Sequence, residues 1–261
     1  MKNLDKLIDE FITYNIPSID ICVMHHGEVV YRRMEGYSDA AKTKPVNGSE
    51  RYNVYSCSKP ITVTAAMRLF ERGKFNLEDK ISDYLPAFAE MTVNDKGTIR
   101  PAKRRITIRD LLSMQAGLTY NLGSGSIKLG QKETNGRCPT REMMKYIARD
   151  PLAFDPGERY NYSLCHDVIA ALVEVLAEKQ FGEYVKENIF TPLGMEHSTF
   201  LPTDADIAGL AEQYRYDNET KTFIPIGGKN GFRLGSEYES GGAGCVTSVD
   251  DYMKFLAGWR T

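Results

Sequence analysis

Residues 53–67, NVYSCSKPITVTAAM, place Lys59 at the start of an apolar segment. A lysine in such a segment either extends to solvent or loses the hydration of its charge, and the loss is costly unless another group offsets it. Ser56 precedes the lysine by three residues. Residues three apart on a helix are neighbours on one face, so the amine can reach the hydroxyl group. The interpretation of the whole chain begins with this pair.

The start of a helix favours an uncharged lysine amine. Its unpaired N–H groups carry about half a positive charge, and burial also disfavours the ammonium form. A neutral lysine beside a serine is a base that can activate the hydroxyl group, and the N–H of Ser56 would face an oxyanion. The segment therefore predicts Ser56 as nucleophile and Lys59 as its base. On spacing alone a surface lysine stays an alternative, because S-x-x-K is expected about once by chance in such a chain.

The composition is that of an ordinary globular protein. Of the 261 residues, 42% are hydrophobic and 26% are charged, and the formal net charge is −2. We therefore expect neither nucleic acid nor a membrane as partner. No run approaches the roughly 18–20 apolar residues that cross a bilayer, and the start, MKNLDKLIDEF, lacks the apolar core of a signal peptide.

The cysteines and histidines predict no disulfide framework, no metal site and no cofactor. The five cysteines are far apart and odd in number, which favours free thiols in a reducing cytoplasm. They are Cys22, Cys57, Cys138, Cys165 and Cys245. The four histidines have no metal-ligand spacing. We expect a cytoplasmic protein.

The order of the predicted elements is strands, then a helical block, then strands. After an amphipathic first helix, strands at 18–24 and 28–32 form a hairpin, which must join a larger sheet because two strands alone are marginal. Residues 121–140, rich in Gly, Ser and Asn, are predicted as a loop. The other predicted elements are helices near 63–70, 81–85, 107–114, 141–148, 168–178 and 181–190, strands at 211–216 and 222–226, and a final helix capped by Ser248.

This order predicts an α+β fold with an inserted helical region. A sheet-containing part would comprise residues 1–55 and 205–261, and a mainly helical part residues 56–204. The pocket would lie between them.

Other nucleophile arrangements are weaker. The chain has no G-x-S-x-G motif. Cys57 and Cys245 have no nearby histidine in sequence and are predicted as small buried residues. His166 and Asp167 are adjacent, and neighbours on a helix do not face each other, so they do not form a relay. The GGAG cluster at 241–244 is not a dinucleotide fingerprint.

Four segments, taken together and in order, resemble the serine β-lactamase and penicillin-binding-protein-like family. This family includes class C β-lactamases, D-Ala-D-Ala peptidases and related carboxylesterases. The segments are SCSKPITVTAAMRLFERGKFNLEDKISDYLP (56–86), ITIRDLLSMQAGLTY (106–120), FDPGERYNYSLCHDVIAALVE (154–174) and ESGGAGCVTSVDDYMKF (239–255). The resemblance spans residues 5–258 and favours the catalytic interpretation of the S-x-x-K pair.

The resemblance implies an antiparallel sheet flanked by helices, with a large helical insertion. It also implies a serine hydrolase that forms an acyl-enzyme on Ser56, with Lys59 as base. Tyr162 would be the third member, exchanging a proton with the serine and the leaving group. A nearby cation favours phenolate, which suits this role. Tyr160 is the competitor, but the spacing after Pro156-Gly157 favours Tyr162.

Two departures from the family pattern affect the expected activity. Leu164 stands where the family often has an asparagine that donates to a substrate amide, which shifts the expectation from β-lactams and peptides to esters. The K-x-G or H-x-G strand, which supplies the second oxyanion donor, is missing before the end at FLAGWRT (255–261). Loss of one such donor costs about 2.7–4 kcal/mol in the barrier. We therefore expect a truncated or incompletely represented member with impaired turnover.

The leading interpretation is a serine esterase that acts on a small-molecule ester or amide of a small carboxylic acid. Leu164 and Gly242 are its predicted substrate-binding positions. One alternative is a β-lactamase or D-Ala-D-Ala carboxypeptidase, and another is a catalytically silent penicillin-binding-like protein. An incomplete sheet also makes self-association an expected possibility.

Overall fold

The computed structural model describes residues 2–258. Residue 1 and residues 259–261, which the predicted sheet-containing part and the terminal FLAGWRT segment included, lie outside the described residues. The α-helices are α1 (Lys2–Thr13), α2 (Ser58–Glu71), α3 (Ile108–Leu112), α4 (Gly125–Glu133), α5 (Thr140–Ile147), α6 (Cys165–Ala177), α7 (Phe181–Val185), α8 (Thr191–Leu193), α9 (Asp204–Ala208) and α10 (Val249–Gly258). The strands are β1 (Ser18–His25), β2 (Glu28–Gly36), β3 (Tyr52–Asn53), β4 (Thr92–Asp95), β5 (Thr98–Pro101), β6 (Tyr214–Asp217), β7 (Thr222–Pro225) and β8 (Val246–Thr247).

The N-terminal hairpin is confirmed. Strands β1 and β2 pair antiparallel, and the turn between them has positive φ at His26 and Gly27. The expected larger sheet is not formed within residues 2–258, where β1 and β2 pair only with each other. Two helices contact the hairpin instead, and it stays partly exposed. Helix α10 contacts β1, and Arg33 of β2 donates hydrogen bonds to Asp5 O and Asp9 Oδ1 of α1.

Helices α2 and α6 form the centre of the core. Small side chains allow the two helices to approach closely, and Ala65, Ala66, Ala170 and Ala171 are all fully buried. Every residue of α6 from Cys165 to Glu174 is buried, as expected for a helix that is surrounded by other elements. Most of the hydrophobic core therefore lies within the predicted helical block, and Leu234, Tyr238, Cys245 and Phe255 from the later part of the chain join it.

The prediction of a loop over residues 121–140 was wrong for its middle part, which forms α4. Ser124 caps this helix by accepting a hydrogen bond from Ile127 N at 3.2 Å, and Ile127 is buried. Gly130 lies so close to α5 that a Cβ there would be 2.7 Å from the Tyr146 ring. The glycine that suggested a loop is instead required for close packing of two helices.

Strands β3 and β8 connect the start of α2 to the segment that contains the GGAG cluster at 241–244. Tyr52 pairs with Thr247 and Asn53 with Val246, and Val54 N donates to Cys245 O at 3.1 Å. Residues from the first quarter of the chain and from its last part thus meet beside Ser56. The division into a sheet-containing part and a helical part stays a prediction.

None of the helices in the described part of the chain is long and apolar enough to span a bilayer.

Two buried carboxyl groups meet at the start of α7. Glu174 Oε1 accepts from Phe181 N at 3.2 Å, and Glu239 Oε2 accepts from Gly182 N at 3.0 Å. Their residues are only 7% and 4% exposed. Burial, reinforced by the charge of Glu239, raises the pKa of Glu174 to about 7, and burial also raises the pKa of Glu239.

Glu174→Gln should lose less stability than wild type when the pH is raised. The folded chain retains the Glu174 proton between its ordinary pKa near 4.5 and about 7, whereas the unfolded chain releases it, so stability falls as pH rises through this window. Glutamine has no charge to bury. We expect the difference in melting temperature, variant minus wild type, to be roughly 3–8 °C larger at pH 8 than at pH 4.5.

The exposed Glu183→Gln, on α7, whose first N–H groups contact the two buried carboxyl groups, is the control for this comparison. Burial lowers the pKa of His166 to about 4, which makes stability rise with pH over part of the same window. That contribution is common to all the proteins and cancels in the difference. A difference between Glu174→Gln and wild type that does not change with pH would contradict the prediction.

Candidate active site

Ser56 lies in a 3₁₀ turn, Tyr55–Cys57, that leads directly into α2. Cys57 N donates to Val54 O at 2.9 Å and closes the turn. The residue before the serine, Tyr55, has a φ of 44°, which is uncommon for an aromatic residue. Ser56 is exposed to solvent, so a small molecule can reach its hydroxyl group.

The structure brings Ser56, Lys59 and Tyr162 together. Lys59 Nζ lies 3.2 Å from Ser56 Oγ, and the Tyr162 hydroxyl lies 2.5 Å from the same oxygen. Lys59 Nζ is also 4.5 Å from the centre of the Tyr162 ring. The serine hydroxyl is therefore within hydrogen-bond reach of an amine and a phenol at once. That these groups act as nucleophile, base and proton carrier stays a prediction.

The lysine side chain is only 7% exposed, and a backbone carbonyl satisfies it. Lys59 Nζ donates to Gly242 O at 2.6 Å. Two more α2 side chains hold the same segment, since Thr62 Oγ1 donates to Gly241 O at 2.7 Å and Ser58 Oγ accepts from Cys245 N at 2.9 Å. One face of α2 therefore fixes the glycine-rich segment, which we define as residues 240–245.

Asp167 holds the other side of the glycine-rich segment. It is fully buried on α6, and its Oδ1 accepts from Ser240 Oγ at 2.7 Å and from the Tyr238 hydroxyl at 3.1 Å. Burial raises the pKa of its carboxyl group, and Lys59 opposes that rise. His166 Nε2 lies 3.3 Å from Leu112 O, so the adjacent pair has separate partners, as expected from their spacing.

Sequence reasoning did not assign Asp167 a function. The signal was nevertheless present, because a carboxylate within the apolar run of α6 raises the same question as a lysine at the start of α2. Tyr120 was also missed as a site residue. Its ring stacks on Tyr162, with centroids 5.6 Å apart and planes 19° apart.

The segment before α6 positions Tyr162. Asn161 N donates to Met114 O at 2.8 Å, and its side chain donates to Leu118 O at 2.7 Å. Of the two candidate tyrosines, Tyr162 forms the bond to the serine, whereas Tyr160 is 63% exposed. The sequence spacing thus selected the tyrosine that reaches Ser56.

Leu164 lies apart from this hydrogen-bonded group. Its side chain is 5% exposed and belongs to the hydrophobic core, and its N–H donates to Thr119 O at 3.3 Å. Gly242 does lie at the site, as the acceptor for Lys59. Substrate binding by either residue stays a prediction. Within residues 2–258, no three His, Cys, Asp or Glu side chains are grouped to hold a metal ion.

Gly242→Ala should destabilise the chain by about 1–3 kcal/mol, because the added methyl group has no room. A Cβ at this position would lie 2.6 Å from Asp167 Oδ2 and 3.1 Å from the Tyr120 hydroxyl. Urea denaturation of wild type and variant measures the free energy of unfolding. Gly125→Ala is the matched control, since a Cβ there has no atom within 4 Å. Equal stability of Gly242→Ala and wild type would contradict the packing argument.

Comparison with known proteins gives a matching family and curated relatives. Residues 4–260 match the Beta-lactamase family. Esterase EstB of Burkholderia gladioli is 29% identical over 257 residues, which cover 91% of this chain and 64% of EstB. Protein Rv1367c of Mycobacterium tuberculosis is 29% identical over 228 residues, which cover 85% of this chain and 56% of that protein. The chain thus spans 56–64% of the length of these curated relatives.

Solved structures share the fold. EstCE1, described as a hydrolase with promiscuous acyltransferase activity, superposes with a TM-score of 0.79 at 28% identity, covering 98% of this chain and 71% of EstCE1. The octameric penicillin-binding protein homologue from Pyrococcus abyssi gives a TM-score of 0.74 at 21% identity, covering 99% of this chain and 55% of that one. The α+β fold with antiparallel strands is that of the β-lactamase and transpeptidase proteins. From its sequence match and its fold, the chain belongs to the Beta-lactamase family.

Proposed function

We propose that this chain is a serine hydrolase that forms an acyl-enzyme on Ser56 and cleaves esters of small carboxylic acids. The observation that carries the proposal is the position of one exposed hydroxyl group between two proton-transfer groups. Lys59 Nζ is 3.2 Å from Ser56 Oγ, and the Tyr162 hydroxyl is 2.5 Å from it. This is the geometry required for a nucleophile and its general base.

The proposed acylation begins when the Lys59 and Tyr162 pair takes the proton from Ser56. Ser56 Oγ attacks the carbonyl carbon of the ester, and the negative charge that develops on the carbonyl oxygen is stabilised by the Ser56 N–H. When the tetrahedral intermediate collapses, the carbon–oxygen bond to the alcohol breaks. Tyr162 returns the proton to the departing alkoxide, which leaves as the alcohol.

Deacylation repeats these steps with water in place of the serine. Tyr162 and Lys59 take a proton from the water, the hydroxide attacks the acyl carbon, and the ester bond to Ser56 breaks. The proton returns to Ser56 Oγ, and the free carboxylic acid leaves. The exposure of Ser56 supports this step because water has direct access to the acyl group.

Esters are the proposed substrates for two reasons. EstB is named an esterase and EstCE1 a hydrolase, and the two are similar to this chain to about the same degree, at 29% and 28% identity. In addition, the buried Leu164 takes the position of the amide-donating asparagine of the family pattern, and its side chain has no hydrogen-bond donor. Ester turnover depends less on such a donor than amide turnover does.

Ser56→Ala should abolish labelling by a fluorophosphonate probe and reduce hydrolysis of p-nitrophenyl acetate by at least about a thousandfold. Mass spectrometry of the peptide that contains residue 56 locates the label. Cys57→Ala is the control, because it removes the exposed neighbouring thiol and leaves the serine. Labelling that persists in Ser56→Ala, or that disappears in Cys57→Ala, would refute Ser56 as nucleophile.

Tyr162→Phe should lower kcat for ester hydrolysis by about 10²–10⁴, the usual range for loss of a general acid–base group. Phenylalanine retains the ring that stacks on Tyr120 and removes only the hydroxyl group. The matched control is Tyr160→Phe, which should retain kcat within about twofold because Tyr160 is mostly exposed. Equal effects of the two substitutions would contradict the role proposed for Tyr162.

Nitrocefin, a chromogenic cephalosporin, tests the alternative of β-lactam turnover on the same preparation. The proposed ester preference predicts a kcat/KM for p-nitrophenyl acetate well above that for nitrocefin. Faster turnover of nitrocefin would assign the site to β-lactams and would remove the argument from Leu164.

A further inference from the structure

A row of aromatic rings extends away from the catalytic phenol. Tyr120 stacks on Tyr162, and the Phe232 ring meets the Tyr120 ring edge-on, with centroids 5.4 Å apart and planes at 77°. Tyr55 meets Phe232 in the same way, at 5.9 Å and 75°. We call Tyr55, Tyr120 and Phe232 the aromatic wall. It begins at the ring of Tyr162 and ends at the residue that precedes Ser56.

The segment that carries Phe232 has no regular secondary structure, but side chains fix it. Asn230 accepts from Phe232 N at 2.9 Å and donates to Ala243 O, in the glycine-rich segment, at 2.7 Å. Asn53 of β3 donates to Gly228 O at 2.9 Å. Phe232 is therefore held at a defined place relative to both β3, which leads into the turn that carries Ser56 (Tyr55–Cys57, the nucleophile turn), and the glycine-rich segment.

Tyr55 is also held in place. Its hydroxyl group donates to Gln213 Oε1, and Gln213 Nε2 donates to Gly227 O at 2.7 Å. Its left-handed φ of 44° costs conformational energy that surrounding contacts must offset. The strained backbone brings the ring against Phe232, next to Ser56. A strained aromatic residue with its polar end fixed presents a ring of defined orientation.

The end of the wall formed by Tyr55 and Phe232 is apolar and partly buried, whereas Lys59 Nζ lies 5.7 Å from the centre of the Tyr120 ring. Phe232 has no polar atom, and the hydroxyl of Tyr55 is engaged by Gln213. The nearest basic side chain in sequence, Arg233, donates to Pro202 O at 3.3 Å and so has a partner away from the rings. Partly exposed rings beside an exposed serine form a surface that a flat, uncharged group of a substrate can cover.

We propose that the aromatic wall is a substrate subsite for an aromatic ring, carried on the acyl or the alcohol part of the ester. Edge-to-face and stacked contacts with Phe232 and Tyr55 favour an aromatic ring over a saturated ring of the same size. The identification of the ligand as an ester rests on the function proposed above, with the carbonyl carbon at Ser56.

Binding to a Ser56→Ala background tests the subsite without requiring hydrolysis. Ligand-observed NMR titrations would compare ethyl phenylacetate with ethyl cyclohexylacetate for the acyl part, and benzyl acetate with cyclohexylmethyl acetate for the alcohol part. We expect Kd for the aromatic member to be about three- to tenfold lower in one of the two pairs. That pair identifies which part of the ester occupies the wall. Equal Kd values within both pairs would overturn the proposal.

Phe232→Leu on the same background should bring the ratio of Kd values in the selective pair to less than about twofold, because leucine keeps apolar volume and loses the ring. The matched control is Phe223→Leu. Phe223 is a half-buried phenylalanine of β7 whose ring contacts Tyr216. A ratio that survives in Phe232→Leu, or that falls equally in Phe223→Leu, would also overturn the proposal.

A hydrolysis experiment separates failure of the subsite from failure of the proposed function. With Ser56 intact, ethyl acetate has no ring for the wall, so a pH-stat measures the reaction at the nucleophile alone. Phe232→Leu should lower kcat/KM for the aromatic ester five- to tenfold more than kcat/KM for ethyl acetate. Equal losses for both esters would contradict a specificity role for Phe232. Absence of ethyl acetate hydrolysis would count against the esterase proposal, while the NMR ratios still decide the subsite.

Discussion

The bond from Lys59 to the carbonyl of Gly242 is the interaction on which the site depends. A lysine that is 7% exposed is unfavourable unless polar groups replace water, and Gly242 O at 2.6 Å and Ser56 Oγ at 3.2 Å do so. The contact that makes burial of the amine tolerable also fixes it beside the hydroxyl group. Because Thr62 holds the neighbouring carbonyl, the nucleophile turn, α2 and the glycine-rich segment form one unit.

Asp167 holds the glycine-rich segment from the other side of that unit. The carboxyl group is fully buried on α6, and its hydrogen bonds to Ser240 and Tyr238 secure the start of the glycine-rich segment. Lys59 reaches the same segment from α2. The two helices that form the centre of the core therefore each contribute one ionisable group, and Gly242, which has no side chain, fits between them. A larger residue would press against Asp167 and Tyr120.

Local signals sufficed for elements that depend on neighbouring residues. The S-x-x-K spacing predicted that Ser56 and Lys59 share one face near a helix start, and, within the resemblance to the family, the spacing after Pro156-Gly157 favoured Tyr162 over Tyr160. Long-range pairing was not readable, so the joining of β3 to β8 and the partner of Lys59 were not predicted. Glycine has two structural roles that composition cannot distinguish, since Gly130 permits close helix packing whereas Gly27 forms a turn. Asp167 was not predicted as a site residue because its place there depends on long-range contacts with Ser240 and Tyr238.

Helix α4, expected as a loop, has a consequence for the engineering of this scaffold. Gln131 donates to Leu234 O at 3.0 Å, and the backbone carbonyls of Gly136 and Arg137 accept from Ser236 N and Glu237 N at 3.1 and 2.7 Å. Residues 131–137 therefore hold residues 234–237 in place by hydrogen bonds, and residues 234–237 directly follow the segment that carries Phe232. If a segment from a relative replaced only one of the two stretches, these hydrogen bonds would be lost. The two stretches therefore need to be exchanged together.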